Sequence, residues 1–222
     1  MAAARAEAAG DDPATWPANP ALALSPDDGV ERIRQVASGC RACDLWRIGT
    51  RTVFGEGALS ARLMLVGEQP GDREDLAGRP FVGPAGALLE RALDEAGIDR
   101  QAVFVTNVVK HFKWRPSGRR RLHERPSRAE VRACRPWLDL ELELVTPAVV
   151  VALGATAAGA LFGPAFRLTE QRGVPQPAAD GGPIGLATFH PSAVLRARDD
   201  TRTATFEAIV RDLRTANTVA AG

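Results

Sequence analysis

Three arginines run almost directly into a histidine at Arg119-Arg120-Arg121-Leu122-His123. A neutral imidazole is a good nucleophile, and neighbouring cations disfavour the protonation that would tie up a lone pair. Taken alone, such a run reads first as a solvated basic loop that touches phosphate. Cys40 and Cys43 stand in a C-x-x-C spacing and Cys134 lies far along the chain. Three thiols, an odd number, suit metal ligation better than a disulfide framework.

The charge around these residues is uneven. From Lys110 to Arg135 the sequence carries ten Lys or Arg against Glu124 and Glu130, so a net charge of +1 hides a basic segment on an otherwise acidic chain. A ridge of this kind is the footprint of a polyanion site, although an acidic protein could use it too. With 222 residues and 45% hydrophobic content, the chain can bury one good α/β core. Residues 1–30 are rich in Ala, Pro and Asp and read as a flexible arm rather than a signal peptide. The domain is expected over 31–216, with a short tail at 217–222. No run of about eighteen apolar residues occurs, so no membrane span is expected. With the unpaired cysteines, this points to a reducing cytoplasm.

Four short apolar segments read as buried strands: Leu63–Val66, Val103–Thr106, Ala148–Leu153 and Ile184–Phe189. Between them lie helical patterns. Pro84 to Ala96 has apolar spacing at Leu88, Leu89 and Leu93 and stops at Gly97. Ser127 and Glu130 form a capping box for a helix that runs through Trp137 to Leu144. Shorter helices are expected over Ala155–Leu161 and Thr203–Leu213. The alternation predicts a three-layer α/β/α fold around a central four-stranded parallel sheet. Sites in such sheets form beyond the carboxyl ends of the strands. There the chain offers Gly67-Glu68-Gln69-Pro70-Gly71, Asn107-Val108-Val109-Lys110, Gly154-Ala155-Thr156 and His190-Pro191-Ser192.

These segments, with Gly67 to Asp72, Arg79-Pro80-Phe81-Val82-Gly83-Pro84-Ala85-Gly86 and the loop ending in His123, resemble the uracil-DNA glycosylase superfamily. The resemblance is to its iron–sulfur branch, family 4, and within it to the DNA-linking variant called UdgX. Family 4 generally has Ala where Gln69 stands and lacks the Arg-rich loop with a terminal His. The resemblance implies excision of uracil from DNA, in the service of DNA repair, followed by a lasting covalent bond between His123 and C1′ of the abasic sugar. Uracil-containing DNA, as single strands or duplex, is the implied partner of a monomer.

Cleaving an N-glycosidic bond builds positive charge on the sugar and negative charge on the departing base, which must first leave the stack. By the resemblance, Phe81 stacks on the flipped ring, Asn107 reads its O4/N3 edge, and Gly67 and Asp72 complete the uracil pocket. His190 meets O2 as an oxyanion hole would. Glu68 supports the cationic sugar, Gln69 makes a polar contact to base or water, and His123 captures C1′. Arg119, Arg120, Arg121, Lys110 and Ser192 are the expected DNA contacts. Trp46 and Trp137 read as packing, and Trp114 reads equally as a stacking residue or as packing.

Family 4 also implies a [4Fe–4S] cluster on four cysteines, and His111 stands at the position of the fourth. Imidazole can replace thiolate on iron. Cys40, Cys43, His111 and Cys134 are thus the implied ligands, although a structural zinc fits the same residue types. On residue type alone His111 and His123 could exchange roles. Two other functions fit the same residues: a multiple-turnover glycosylase in which His123 only touches phosphate, and a non-catalytic iron–sulfur DNA-binding module.

Overall fold

A computed structural model of the chain describes residues 16–177 and 182–222. The first α-helix among the described residues is α1 (Val30–Ser38), followed by β1 (Leu63–Gly67), α2 (Asp72–Ala77), α3 (Pro84–Glu95) and β2 (Val103–Asn107). A small hairpin comes next, β3 (Trp114–Ser117) and β4 (Arg120–His123), and then the long α4 (Arg128–Val145). The chain closes with β5 (Val149–Leu153), α5 (Ala155–Phe162), α6 (Leu168–Gln171), β6 (Ile184–Thr188), α7 (Ser192–Arg196) and α8 (Asp199–Ala221).

The central sheet has the order β2-β1-β5-β6, with all neighbours parallel. Its strands are almost continuously buried because helices cover both faces, the pattern of a doubly covered parallel sheet. Alternate residues feed two cores. Met64, Val66, Phe104 and Val150 face α1, α4 and α5 through Ile33, Trp137, Leu138 and Ala157. Leu63, Leu65, Val105 and Val151 face α3 and α8 through Leu89, Leu93, Ile209 and Leu213. This is the expected α/β/α sandwich. Each large aliphatic side chain so buried contributes about 1.5–3 kcal/mol relative to exposure.

Register sets the site. Gly67 pairs with Asn107, and Leu153 pairs with Thr188. The four strands therefore end level, and the turns that follow them share one rim. Ser127 caps α4 through the expected capping box: its Oγ accepts the Glu130 N–H while Glu130 accepts the Ser127 N–H at 2.6 Å.

The structure differs from expectation at three places. Residues 1–15 of the expected arm lie outside the described residues, but residues 16–30 are anchored: Asn19 donates to the Ala133 carbonyl at 2.8 Å and Trp16 donates to Asp44 at 3.2 Å. The expected tail is the end of α8, where Ala220 is buried and its carbonyl accepts from Arg62. The Arg-rich segment is a hairpin, with Gly118 at φ 58° in its turn and Trp114 paired with His123. Among the described residues no helix is long and apolar enough to cross a membrane.

Candidate active site

A cavity of about 900 Å³ opens on the carboxyl rim of the sheet, lined by Glu68, Phe81, Asn107, His123, Thr156 and His190 among others. Phe81 sits at φ 55°, a conformation that is costly for a bulky residue and persists only where its surroundings fix it. Two contacts fix it. The buried Glu74 carboxylate accepts the Gly83 N–H at 2.9 Å, and α3 begins so close that a Cβ on Gly86 would strike the Phe81 carbonyl. The Phe81 ring stacks toward His190 with centroids 6.2 Å apart and planes 27° from parallel. Gly67 lets these side chains approach, since a Cβ there would lie 2.9 Å from the Phe81 ring and closer still to Asn107 Oδ1. An aromatic face, an amide and an imidazole thus converge on one slot.

His190 is held as a donor into that slot. Its Nδ1 accepts the Ser192 N–H at 3.1 Å and lies 2.8 Å from the Ser192 hydroxyl, which leaves Nε2 to carry the ring proton. Burial, helped by the charge of Arg196 and by His123, outweighs the pull of Glu68 and takes this imidazole down to about 4. A neutral Nε2–H is therefore available to an anion over the neutral pH range.

Glu68 and His123 meet across the cavity mouth, Oε1 to Nε2 at 3.3 Å. Burial alone would raise the Glu68 carboxyl, but hydrogen bonds from His123 and Thr156, with the charge of Arg125, outweigh it and hold it below the usual carboxylate range. His123 is half exposed.

The hairpin that carries His123 is clamped from below. Gln69 is buried, donates to the carbonyls of Lys113 and Glu124 at 3.1 and 3.0 Å, and accepts the Lys113 N–H at 3.1 Å. Its amide is thus committed to the hairpin stem and not to base or water. Arg121 pins the other side. It bonds Asp72 at 2.5 Å and Asp75 at 2.6 Å and lies over the rings of Phe112 and Trp114. Of the expected DNA contacts, Arg119 and Arg120 are exposed, Arg121 is turned inward, and Ser192 serves His190. Asp72, expected at the base, is taken up by Arg121.

Lys110 is not a DNA contact. Its side chain is fully buried and bonds Glu141 at 2.6 Å, Thr106 Oγ1 at 2.7 Å and the Asn107 carbonyl at 2.7 Å. Trp114 donates to the Ile48 carbonyl at 2.8 Å and packs within the protein, Trp137 is buried, and Trp46 lies between Arg41 and Arg47. Sequence reading missed Glu74, Asp75, Arg125 and Glu141; the last three act through partners more than thirty residues away in the chain.

The three cysteines are buried and free of disulfides. The Lys110 N–H points at Cys134 Sγ and the Trp137 indole N–H at Cys40 Sγ, each at 3.2 Å. N–H donors aimed at sulfur suit thiolate ligands, whose charge such bonds stabilise. Burial pushes the Cys43 and Cys134 thiols up to about 12, a cost that a bound metal cation would offset. The donor set thus fits a thiolate-bound metal. His111 is buried and its Nε2 meets Thr52 Oγ1 at 2.9 Å, which leaves Nδ1 as its only nitrogen for a metal. Among the described residues no three ligating side chains stand together at metal-binding spacing.

Comparison with known proteins agrees with this geometry. The family model for the uracil DNA glycosylase superfamily matches residues 54–214. A type-4 uracil-DNA glycosylase of Thermotoga maritima is 41% identical over 172 residues, covering 77% of this chain and 85% of that protein. One of Sulfurisphaera tokodaii is 38% identical over 175 residues, 76% of each chain. A type-5 uracil-DNA glycosylase of Pyrobaculum aerophilum is 33% identical over 142 residues, 56% of this chain and 58% of the relative. The chain belongs to the uracil-DNA glycosylase superfamily.

Proposed function

We propose that this protein excises uracil from DNA and then captures the abasic sugar on His123. The observation that carries the reading is the 3.3 Å approach of His123 to Glu68 at the mouth of a cavity floored by Phe81, Asn107 and His190. A flipped uracil stacks on Phe81, and the Asn107 amide offers both a donor and an acceptor to its O4/N3 edge. The C1′–N1 bond breaks with its electron pair leaving on uracil, where the His190 Nε2–H meets O2. The unprotonated nitrogen of His123 supplies the pair for a new bond to C1′. The remaining ring proton passes to the Glu68 carboxylate and on to solvent, and the uracil anion takes a proton from water. The product is an N-alkylated imidazole without an easily protonated leaving oxygen, so its hydrolysis is slow. Uracil-containing DNA, single-stranded or with its base extruded, is the partner, met by the exposed Arg119 and Arg120.

Denaturing electrophoresis tests this with uracil-containing and uracil-free oligonucleotides. Capture gives a heat-stable shifted band with the first alone. The names of the type-4 relatives favour a second reading, plain excision with turnover. That reading yields free uracil in excess of protein and no shifted band.

The cofactor belongs to the same proposal: a [4Fe–4S] cluster on Cys40, Cys43, Cys134 and His111. When bound, it supplies a structural anchor, and no electron transfer is needed for base excision. The three buried thiols, with N–H donors aimed at Cys40 and Cys134, support it. Purified protein should be brown with about four irons per chain, the nuclearity of that cluster. A colourless protein with stoichiometric zinc overturns the assignment.

A further inference from the structure

Glu68 has a second partner that the excision-and-capture scheme does not use. One oxygen, Oε1, faces His123; the other, Oε2, meets the hydroxyl of Thr156 in a short contact. The same hydroxyl lies 3.0 Å from Arg125 Nε, and Arg125 Nε is itself 4.0 Å from Glu68 Oε2. Thr156 stands in the first turn of α5, directly beyond β5, while Arg125 follows His123 by two residues. Glu68, Thr156 and Arg125 therefore form a closed ring of contacts from the β1 turn to α5, on to the segment after the hairpin and back, with His123 on the other oxygen of Glu68.

The direction of each bond follows from counting hydrogens. A guanidinium only donates, so Arg125 occupies a lone pair of the Thr156 oxygen, and the single hydroxyl hydrogen points to Glu68. The carboxylate is thus gripped at one oxygen and free to rotate no further than that bond allows. We infer that Thr156 is a positioning residue, holding Glu68 in the orientation that presents Oε1 to His123. The inference rests on the capture reading for its consequence, because Glu68 touches the nucleophile and Thr156 does not. Electrostatics agree with the geometry. The groups facing Glu68 are His123 and Arg125 from the hairpin, Thr156 from α5 and His190 from the turn after β6. The bond from Thr156 is one of those that keep the buried carboxyl ionised against desolvation.

The test uses Thr156→Val, which keeps the shape and deletes the donor, and Thr156→Ser, which keeps the donor. Single-turnover rates of uracil release and of adduct formation are measured across pH on a uracil-containing oligonucleotide. Thr156→Val should slow adduct formation roughly tenfold, the scale of one hydrogen bond to a charged group. Its acid limb should move to higher pH, since losing a donor raises the Glu68 carboxyl. Thr156→Ser should return both to the parent. A Val variant whose rates and acid limbs superimpose on the parent's, or a Ser variant as impaired as Val, overturns the assignment. A parent that releases uracil without adduct sinks the capture reading alone. Thr156 is then judged on the release rate and its acid limb, which should shift in the same direction.

Discussion

Gln69 grips Lys113 with both ends of its amide, accepting the Lys113 N–H and donating to the Lys113 carbonyl, each at 3.1 Å. Since Lys113 and Glu124 close the stem of the His123 hairpin, this side chain helps fix where His123 stands. Gln69→Ala leaves the Lys113 N–H and the Glu124 carbonyl without this partner, while the Lys113 carbonyl keeps the Glu124 N–H; a group left unsatisfied costs about 1–3 kcal/mol. Urea unfolding should show a lower midpoint, and adduct yield should fall more than uracil release. Equal loss of both would mean that Gln69 acts on the base and not on the hairpin.

Stability should depend on His190 in a defined direction. Its imidazole stands at about 4 in the folded protein against about 6.5 in an unfolded chain. Between those values the unfolded chain binds the extra proton, so this group's stabilisation is whole above about pH 6.5 and declines as pH falls toward 4. His190→Gln should flatten that part of the curve of urea midpoint against pH. A variant curve parallel to the parent's throughout would show that His190 is not held neutral.

The four strands were legible because each is an apolar run bounded by Gly, Pro or polar turn residues, and the rim turns followed from where those runs stop. Asn107 and His190 could be brought to one rim on that basis, and Phe81 joined them only through the family resemblance. Lys110 was misread because a lysine in a basic segment looks like a phosphate contact, and its partner Glu141 lies on α4, thirty-one residues on. The hairpin was hidden for a related reason. It has no apolar face to give period-two alternation, and is held instead by Gln69 and by Arg121 on Asp72 and Asp75. Residues 16–30 looked disordered by composition, and Asn19 on Ala133 anchors them. Each miss is a polar tertiary contact, which leaves no periodic trace in a sequence.

The buried pair of Lys110 and Glu141 yields a stability prediction. Lys110→Met leaves the Glu141 charge without its partner at a site where neither side chain is exposed, which costs about 3–5 kcal/mol. Adding Glu141→Leu removes the orphaned charge, so the double variant should be more stable than the sum of the two single losses implies. Urea midpoints of the four proteins give the comparison. Strict additivity would mean that the two charges do not interact.

On the proposed mechanism, removing His123 separates capture from excision. His123→Gly and His123→Ser then vacate the face of C1′ assigned to the imidazole, while Glu68, Asn107 and His190 keep the pocket and its support for both charges of the transition state. Water can then reach the cationic sugar. Both variants should lose the heat-stable band yet release uracil with turnover, so product exceeds enzyme. If His123 instead only touched phosphate, its loss would weaken DNA binding in a salt-sensitive manner, and the parent would form no band. Peptide mapping of the parent adduct decides the residue directly: the sugar should be found on His123, and its recovery on any other residue would falsify the assignment of the nucleophile.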